Sequence, residues 1–142
     1  MSEHGYPNPP TGLPGTSDEL TRGVRVQVWC RYVPERSSPR DEHYLFTYRV
    51  RISNEGDVPA QLISRHWVIS DGNGQEQHVR GPGVVGEQPR LEPGDAHEYS
   101  SFCPLATPSG SMRGTYQMLL DDGDLFDAKV GAFSLLVPQL LN

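Results

Sequence analysis

Nothing in the chain approaches the roughly 18 uninterrupted apolar residues that a membrane helix requires. Its opening residues carry neither a basic start nor the apolar core of a secretory signal, so a cytoplasmic protein without a membrane partner is expected. Positive charge is scarce: 12 Lys and Arg stand against 18 Asp and Glu, for a net charge of -6. No global field exists to gather phosphate backbones, which excludes a general nucleic-acid binder. Cysteine is nearly absent. Cys30 and Cys103 lie far apart, without the close spacing of a zinc knuckle or a redox pair, and read as two reduced, buried thiols. Amphipathic helical stretches of useful length are missing too, which removes the parallel α/β architectures that need crossover helices.

What is present is alternation. Residues 1–22 are rich in Pro, Gly, Ser and Thr, show no sustained period, and read as a flexible leader to a domain over 23–142. From Gly23 the pattern has period two. Val24, Val26, Val28, Cys30 and Tyr32 share one parity, and Tyr44, Phe46, Tyr48, Val50 and Ile52 repeat the motif against Thr47, Arg49, Arg51 and Ser53. Further strands follow at about 60–70, 76–79, 97–102, 112–120 and 126–137.

Turn chemistry separates them: Asn54-Glu55-Gly56-Asp57, Asp71-Gly72-Asn73-Gly74, Pro93-Gly94 and Asp121-Asp122-Gly123-Asp124. Leu91, just ahead of Pro93-Gly94, suits a plug at the end of a sandwich. The sum is an all-β chain of about seven strands, an immunoglobulin-like or fibronectin type III-like antiparallel sandwich, with a closed barrel as the alternative.

Gly81-Pro82-Gly83-Val84-Val85-Gly86 matches the glycine spacing of a dinucleotide fingerprint. That chemistry needs a helix whose amino end receives the phosphates, and here Glu87-Gln88-Pro89-Arg90 leads to another turn. A β-bulge or tight crossover is the simpler role for the glycines, with Val84 and Val85 packing. A small anion-holding nest over Gly81, Gly83, Val84, Val85 and Gly86, aided by Arg80 or Arg90, stands as the ligand-binding alternative. Arg49 and Arg51 face outward and suit an acidic partner, and His66, on the face of its strand opposite Arg65 and Trp67, is available to a partner as well. The histidines lack the close offsets that aim two at one metal from a single strand, so no metal centre is expected. Asp121, Asp122 and Asp124 read as a solvated acidic hairpin turn, and they are the oxygen cluster on which the alternative of divalent-cation binding rests. No nucleophile, histidine and acid fall into a recognisable constellation, and neither enzyme activity nor a cofactor is expected.

Gln61-Leu62-Ile63-Ser64-Arg65-His66-Trp67, then Gly81-Pro82-Gly83-Val84-Val85-Gly86-Glu87-Gln88-Pro89, Leu91, Pro93-Gly94, Tyr99 with Ser101, and Gly110-Ser111-Met112-Arg113-Gly114-Thr115-Tyr116 together resemble the ApaG family. The resemblance spans residues 23–138. Where the family often shows Ile-Pro before the last strand's phenylalanine, this chain has Val130-Gly131-Ala132 ahead of Phe133.

The resemblance implies a fibronectin type III-like sandwich, found alone in bacteria and as one domain of some eukaryotic F-box and polymerase-interacting proteins. That distribution implies a binding or adaptor module for a protein partner. Bacterial members also carry a link to cobalt and magnesium efflux, a cellular consequence that designates no metal-binding residue. Self-association through the last strand, with its apolar run Phe133 to Val137 and tail Leu140-Leu141, is a further expectation.

Overall fold

A computed structural model describes residues 15–138 of the chain. Its strands are β1 (Thr16–Thr21), β2 (Val24–Tyr32), β3 (Tyr44–Asn54), β4 (Ala60–Asp71), β5 (Glu76–Pro82), β6 (Arg90–Leu91), β7 (Ala96–Leu105), β8 (Ser109–Leu120) and β9 (Leu125–Leu136). Two single-turn 3-10 segments, Pro34–Arg36 and Pro39–Asp41, lie between β2 and β3. One sheet runs β1-β2-β3-β7 and the other β5-β4-β8-β9, with β6 also pairing β4, and every pairing is antiparallel. The sandwich expected from period two is the observed architecture. No helix among the described residues is long and apolar enough to cross a membrane.

Burial follows the parity. Phe46, Val50 and Ile52 of β3 are fully enclosed, as are Val26 and Val28 of β2, while Thr47, Arg49, Arg51 and Ser53 are only part-buried. Each such aliphatic or aromatic side chain contributes roughly 1.5–3 kcal/mol relative to exposure. Trp67 enters from the opposite sheet. Its ring meets Tyr48, Tyr116 and Phe133 near edge-on, with centroids 5.5, 6.0 and 6.1 Å away. The Tyr99 and Tyr116 hydroxyls hydrogen-bond each other between the sheets, which satisfies two polar tips in an otherwise apolar gap. Leu91 is buried at one end, as expected of a plug, and Pro93-Gly94 turns the chain with Gly94 at φ 92° and Asp95 N–H donating to the Glu92 carbonyl.

Two sequence expectations need correction. Thr16–Thr21 is not leader but a strand, paired along its length with β2, from Thr16↔Trp29 to Thr21↔Val24. The remainder of the leader, residues 1–14, lies outside the described residues. β1 escaped notice because Thr-Ser-Asp-Glu-Leu-Thr carries no apolar period; it is held by ladder hydrogen bonds and by its neighbours. Among the latter, Lys129 Nζ lies 3.5 Å from Glu19, and the Lys129 N–H donates to Thr21 Oγ1.

The strand count is accordingly nine among the described residues, with β1 and the two-residue β6 added. In the run Phe133 to Val137, β9 ends its sheet, and Phe133, Leu135 and Val137 turn into the chain's own core while β1 packs beside the strand. Leu140-Leu141 lies outside the described residues. At the Val130-Gly131-Ala132 departure, register passes from Met112↔Phe133 to Gly114↔Val130, so two residues oppose Arg113 alone in a β-bulge.

Candidate functional site

The glycine segment forms a hairpin of its own at the end of β5. Val84 and Glu87 exchange N–H···O bonds of 2.8 and 2.9 Å around Val85 and Gly86, whose φ values are 46° and 78°. Positive φ at both central residues is the type I′ turn, which normally selects Asn and Gly. Gly83 is required just before it: φ is 60°, and a Cβ there would stand 2.1 Å from the Glu87 carbonyl oxygen. A helix does not follow Gly86. The dinucleotide arrangement is therefore absent from this loop.

A bulge in β4 secures the hairpin. Register with β8 jumps from Leu62↔Met118 to Ser64↔Gln117, leaving Ile63 unmatched. The Ile63 carbonyl then accepts from the Gly83 N–H and from Gln88 Nε2, each at 2.9 Å. Arg65 reaches over from β4, donating from Nη1 to the carbonyls of Pro82 (3.1 Å) and Gly83 (2.9 Å). This makes a poor phosphate nest, because the loop turns carbonyls toward its nearest cation and the Gly83, Val84 and Glu87 amides are already donated within the protein.

The five loop residues separate by role. Gly81 pairs with Arg65 in the β4–β5 ladder, and a Cβ there would press on the Arg65 guanidinium at 3.1 Å. Val84 is fully buried in the core. Val85, expected to pack, instead projects with 66% of its surface exposed. Among the described residues it is the β-branched member of the three non-glycine residues at positive φ, Arg22, Glu42 and Val85. Glu87 leans toward the first sheet, with its Oε2 4.0 Å from His97 Nε2 on β7.

His66 shares this end of the molecule. Its register partner across β5 is Arg80, and a shallow cleft of about 270 Å³ is lined by Ser64, Arg65, His66, Arg80, Gly81 and Asp127. His66 Nε2 lies 2.9 Å from His78 Nδ1, with the two rings stacked at 5.1 Å. Slight desolvation, then Arg80, then His78 lower the His66 pKa from its ordinary value. Sequence spacing alone missed the pair, since the residues are 12 apart; folding the strands about the Asp71–Gly74 turn brings them diagonally together.

Arg49 and Arg51 lie elsewhere, on the outer face of the first sheet. Glu98 of β7 stands between them, 3.3 Å from Arg49 Nε and 3.6 Å from Arg51 Nη1. Arg51 also borders a cleft of about 620 Å³ whose other cation, Arg25, is gripped by Asp18 at 2.8 Å and Glu55 at 2.7 Å. That cleft was invisible in the sequence while β1 was read as leader. Its charges are internally matched, so it offers no net field for an anion.

The acidic turn is likewise engaged: Asp121 receives two Arg90 nitrogens, which lower its pKa, and Asp124 pairs with Arg22 at 3.4 Å. Among the described residues no group of three or more His, Cys, Asp or Glu is arranged to hold a metal. Burial pushes the Cys30 thiol up to about 12, with Cys103 adding to it, and the Cys103 thiol up to about 11, far from the thiolate state that nucleophilic catalysis requires.

Comparison with known proteins follows the same outline. The ApaG domain profile matches residues 34–120. The chain is 55% identical over 126 residues to Protein ApaG of Anaeromyxobacter dehalogenans (strain 2CP-C), covering 89% of this chain and 99% of that protein. Protein ApaG of Pseudomonas aeruginosa (strain LESB58) is 56% identical over 119 residues, covering 84% and 94%. Among solved structures, the putative ApaA protein of Bordetella pertussis is 47% identical and superposes with a TM-score of 0.80 over 89% of this chain and 98% of that one. The C-terminal domain of wzt, 12% identical with a TM-score of 0.57, shares the fold. Profile, identity over most of the length and superposition agree with the motif string read from β4 to β8, and this chain belongs to the ApaG family.

Proposed function

We propose that this protein is a non-enzymatic binding module, and that the hairpin at residues 84–87 is the element it presents to a protein partner. The observation that carries the proposal is Val85. An exposed β-branched residue is held at φ 46° on a two-residue turn, where Asn or Gly would relax the backbone. Strain of this kind, on a tip anchored by Val84 in the core and by the Ile63 bulge below, supports a rigid apolar contact point. The adjoining cleft at His66 and Arg80 supplies the polar rim that a small interface needs. Two high-pKa thiols and internally paired charges favour binding over catalysis.

The link to cobalt and magnesium efflux is, on this account, a consequence of partner binding. The phosphate-nest alternative is weaker, because amides of the loop are spent on Ile63 and on the turn itself.

The test is affinity capture from the native cell with wild type, Val85→Asp and the doubly reversed Arg49→Glu/Arg51→Glu. Loss of the captured partner with Val85→Asp, and retention with the arginine variant, is expected. Retention with Val85→Asp would remove the hairpin from the interface, whereas loss with the arginine pair would move it to the other sheet.

A further inference from the structure

Among the described residues β1, β7, β5 and β9 end the two sheets, and all but β7 are guarded. β1 is six residues long, carries Asp18 and Glu19, and packs beside β9, whose Lys129 N–H already donates to Thr21 Oγ1. β5 is defended by its side chains. The Asp71 N–H donates to the Gln75 carbonyl and the Gly83 N–H to the Ile63 carbonyl, so odd-numbered residues of β5 bond β4. Its outward row is then Glu76, His78, Arg80 and Pro82. Charge along an edge and a proline without an N–H are the usual defences against a stray strand.

β7 lacks these defences along most of its length. It has ten residues, and its register with β3 runs unbroken from Ser53↔Ala96 to Tyr44↔Leu105. The Asn54 N–H donates to the Asp95 carbonyl, which sets the phase: odd-numbered residues of β7 bond β3. Ala96, Ser100 and Phe102 therefore aim their N–H and C=O groups away from the sheet. No strand among the described residues pairs with that side. Glu98, the acidic side chain of the row, is drawn across the sheet to Arg49 and Arg51, and proline comes only at Pro104, near the end. A long, regular edge of this kind is a template for another strand.

The surroundings define the occupant. Two exposed apolar side chains bracket the edge: Glu87 brings the Val85 hairpin to His97 at one end, and Phe102, 52% exposed, stands toward the other. Arg36 lies over the Phe102 ring, 5.0 Å from its centroid, and makes no ion pair among the described residues. An incoming strand with an apolar residue against Phe102 and a carboxylate two positions along, on the same face, satisfies both. A second copy of β7 fits less well, because its own carboxylate, Glu98, is already held by Arg49 and Arg51.

We infer that the partner contributes an extended segment, apolar and acidic at alternate positions, that adds to β7 as a fifth strand of the first sheet. Backbone bonds to Ala96, Ser100 and Phe102 set its register, while Phe102 and Arg36 select its side chains. The inference rests on the partner-binding reading above and names the chemistry of the partner.

The test selects binders to the full chain from a displayed library of ten-residue peptides and synthesises those recovered. An apolar residue two positions from an acid is expected in them. Binding should slow hydrogen exchange at the Ala96, Ser100 and Phe102 amides about tenfold or more, and leave the odd-numbered amides, already bonded to β3, unchanged. Methylating the peptide's backbone nitrogens abolishes binding at alternate residues and spares it at the intervening ones. Ser100→Pro removes an outward N–H without touching the β3 ladder, so the amide spectrum stays dispersed while affinity falls about tenfold. Arg36→Gln weakens binding about threefold, an effect that salt erases. Val85→Asp separates the two readings. Loss with Val85→Asp and retention with Ser100→Pro keeps the hairpin and overturns strand addition, whereas the reverse keeps strand addition without the hairpin. No recovered peptide that protects the β7 amides, or protection of those amides by self-association alone, overturns the inference.

Discussion

At residue 85 the sequence chose against its own backbone. An L-residue in the left-handed region costs roughly 1–2 kcal/mol, and β-branching raises the cost. Val85→Asn should therefore stabilise the protein by about 1 kcal/mol in denaturant unfolding while weakening partner capture. If stability falls instead, the turn carries no strain and the functional argument built on it fails. Gly83 has the opposite character. A methyl group there meets the Glu87 carbonyl at 2.1 Å, so Gly83→Ala should destabilise by at least about 2 kcal/mol and scatter the amide resonances of residues 83–88.

His66 sets a pH dependence at this same scale. Its folded pKa lies below the ordinary 6.5, so the unfolded chain binds the proton more readily. Its contribution is fully present above pH 6.5 and is lost as pH falls through the lower folded value. Thermal melts of wild type and His66→Asn should converge above that pH, with the wild type falling more steeply in acid.

At the scale of elements, Asn54 shows how much rests on a single side chain. Buried at the end of β3, it donates from Nδ2 to the carbonyls of Val58 and Leu91 and accepts at Oδ1 from the Gly56 N–H. It thereby ties the crossover between sheets to the Leu91 plug. Asn54→Ala strands three backbone groups, and a loss of about 2–4 kcal/mol is expected from chemical denaturation. The sequence displayed Asn54 only as turn chemistry, since its partners are up to 37 residues away.

Legibility divides along the same line. β3 and β2 were readable because one face is buried and the other wet, which writes period two into Phe46, Val50 and Ile52. The Asp71–Gly74 and Pro93-Gly94 turns were readable because their φ demands select residue types. β1 was not, because Thr-Ser-Asp-Glu-Leu-Thr takes its order from the ladder with β2. The Ile63 bulge leaves no local mark, and neither does the His66–His78 pair, which exists only once register is known. Val85 was misjudged because an apolar residue beside a buried one reads as core.

For the molecule as a whole, β1 closes the side of the sandwich at β9, and the hairpin at 84–87 reaches from the second sheet toward β7 of the first. Removal of residues 1–21 should lower the melting temperature by roughly 5 °C or more, because it strips the ladder from β2 and the cover from β9. The arginines of the first sheet are engaged in place, Arg25 by Asp18 and Glu55, and Arg49 and Arg51 both by Glu98. That leaves the strained hairpin and its cleft as the part of the surface built at an energetic cost.

Site-specific photocrosslinking in the native cell asks directly whether that cost serves contact. A photoreactive residue in place of Val85 should capture a partner that the same residue at exposed Leu125, the first residue of β9, does not. Equal capture from both positions, or none from position 85, would contradict the account.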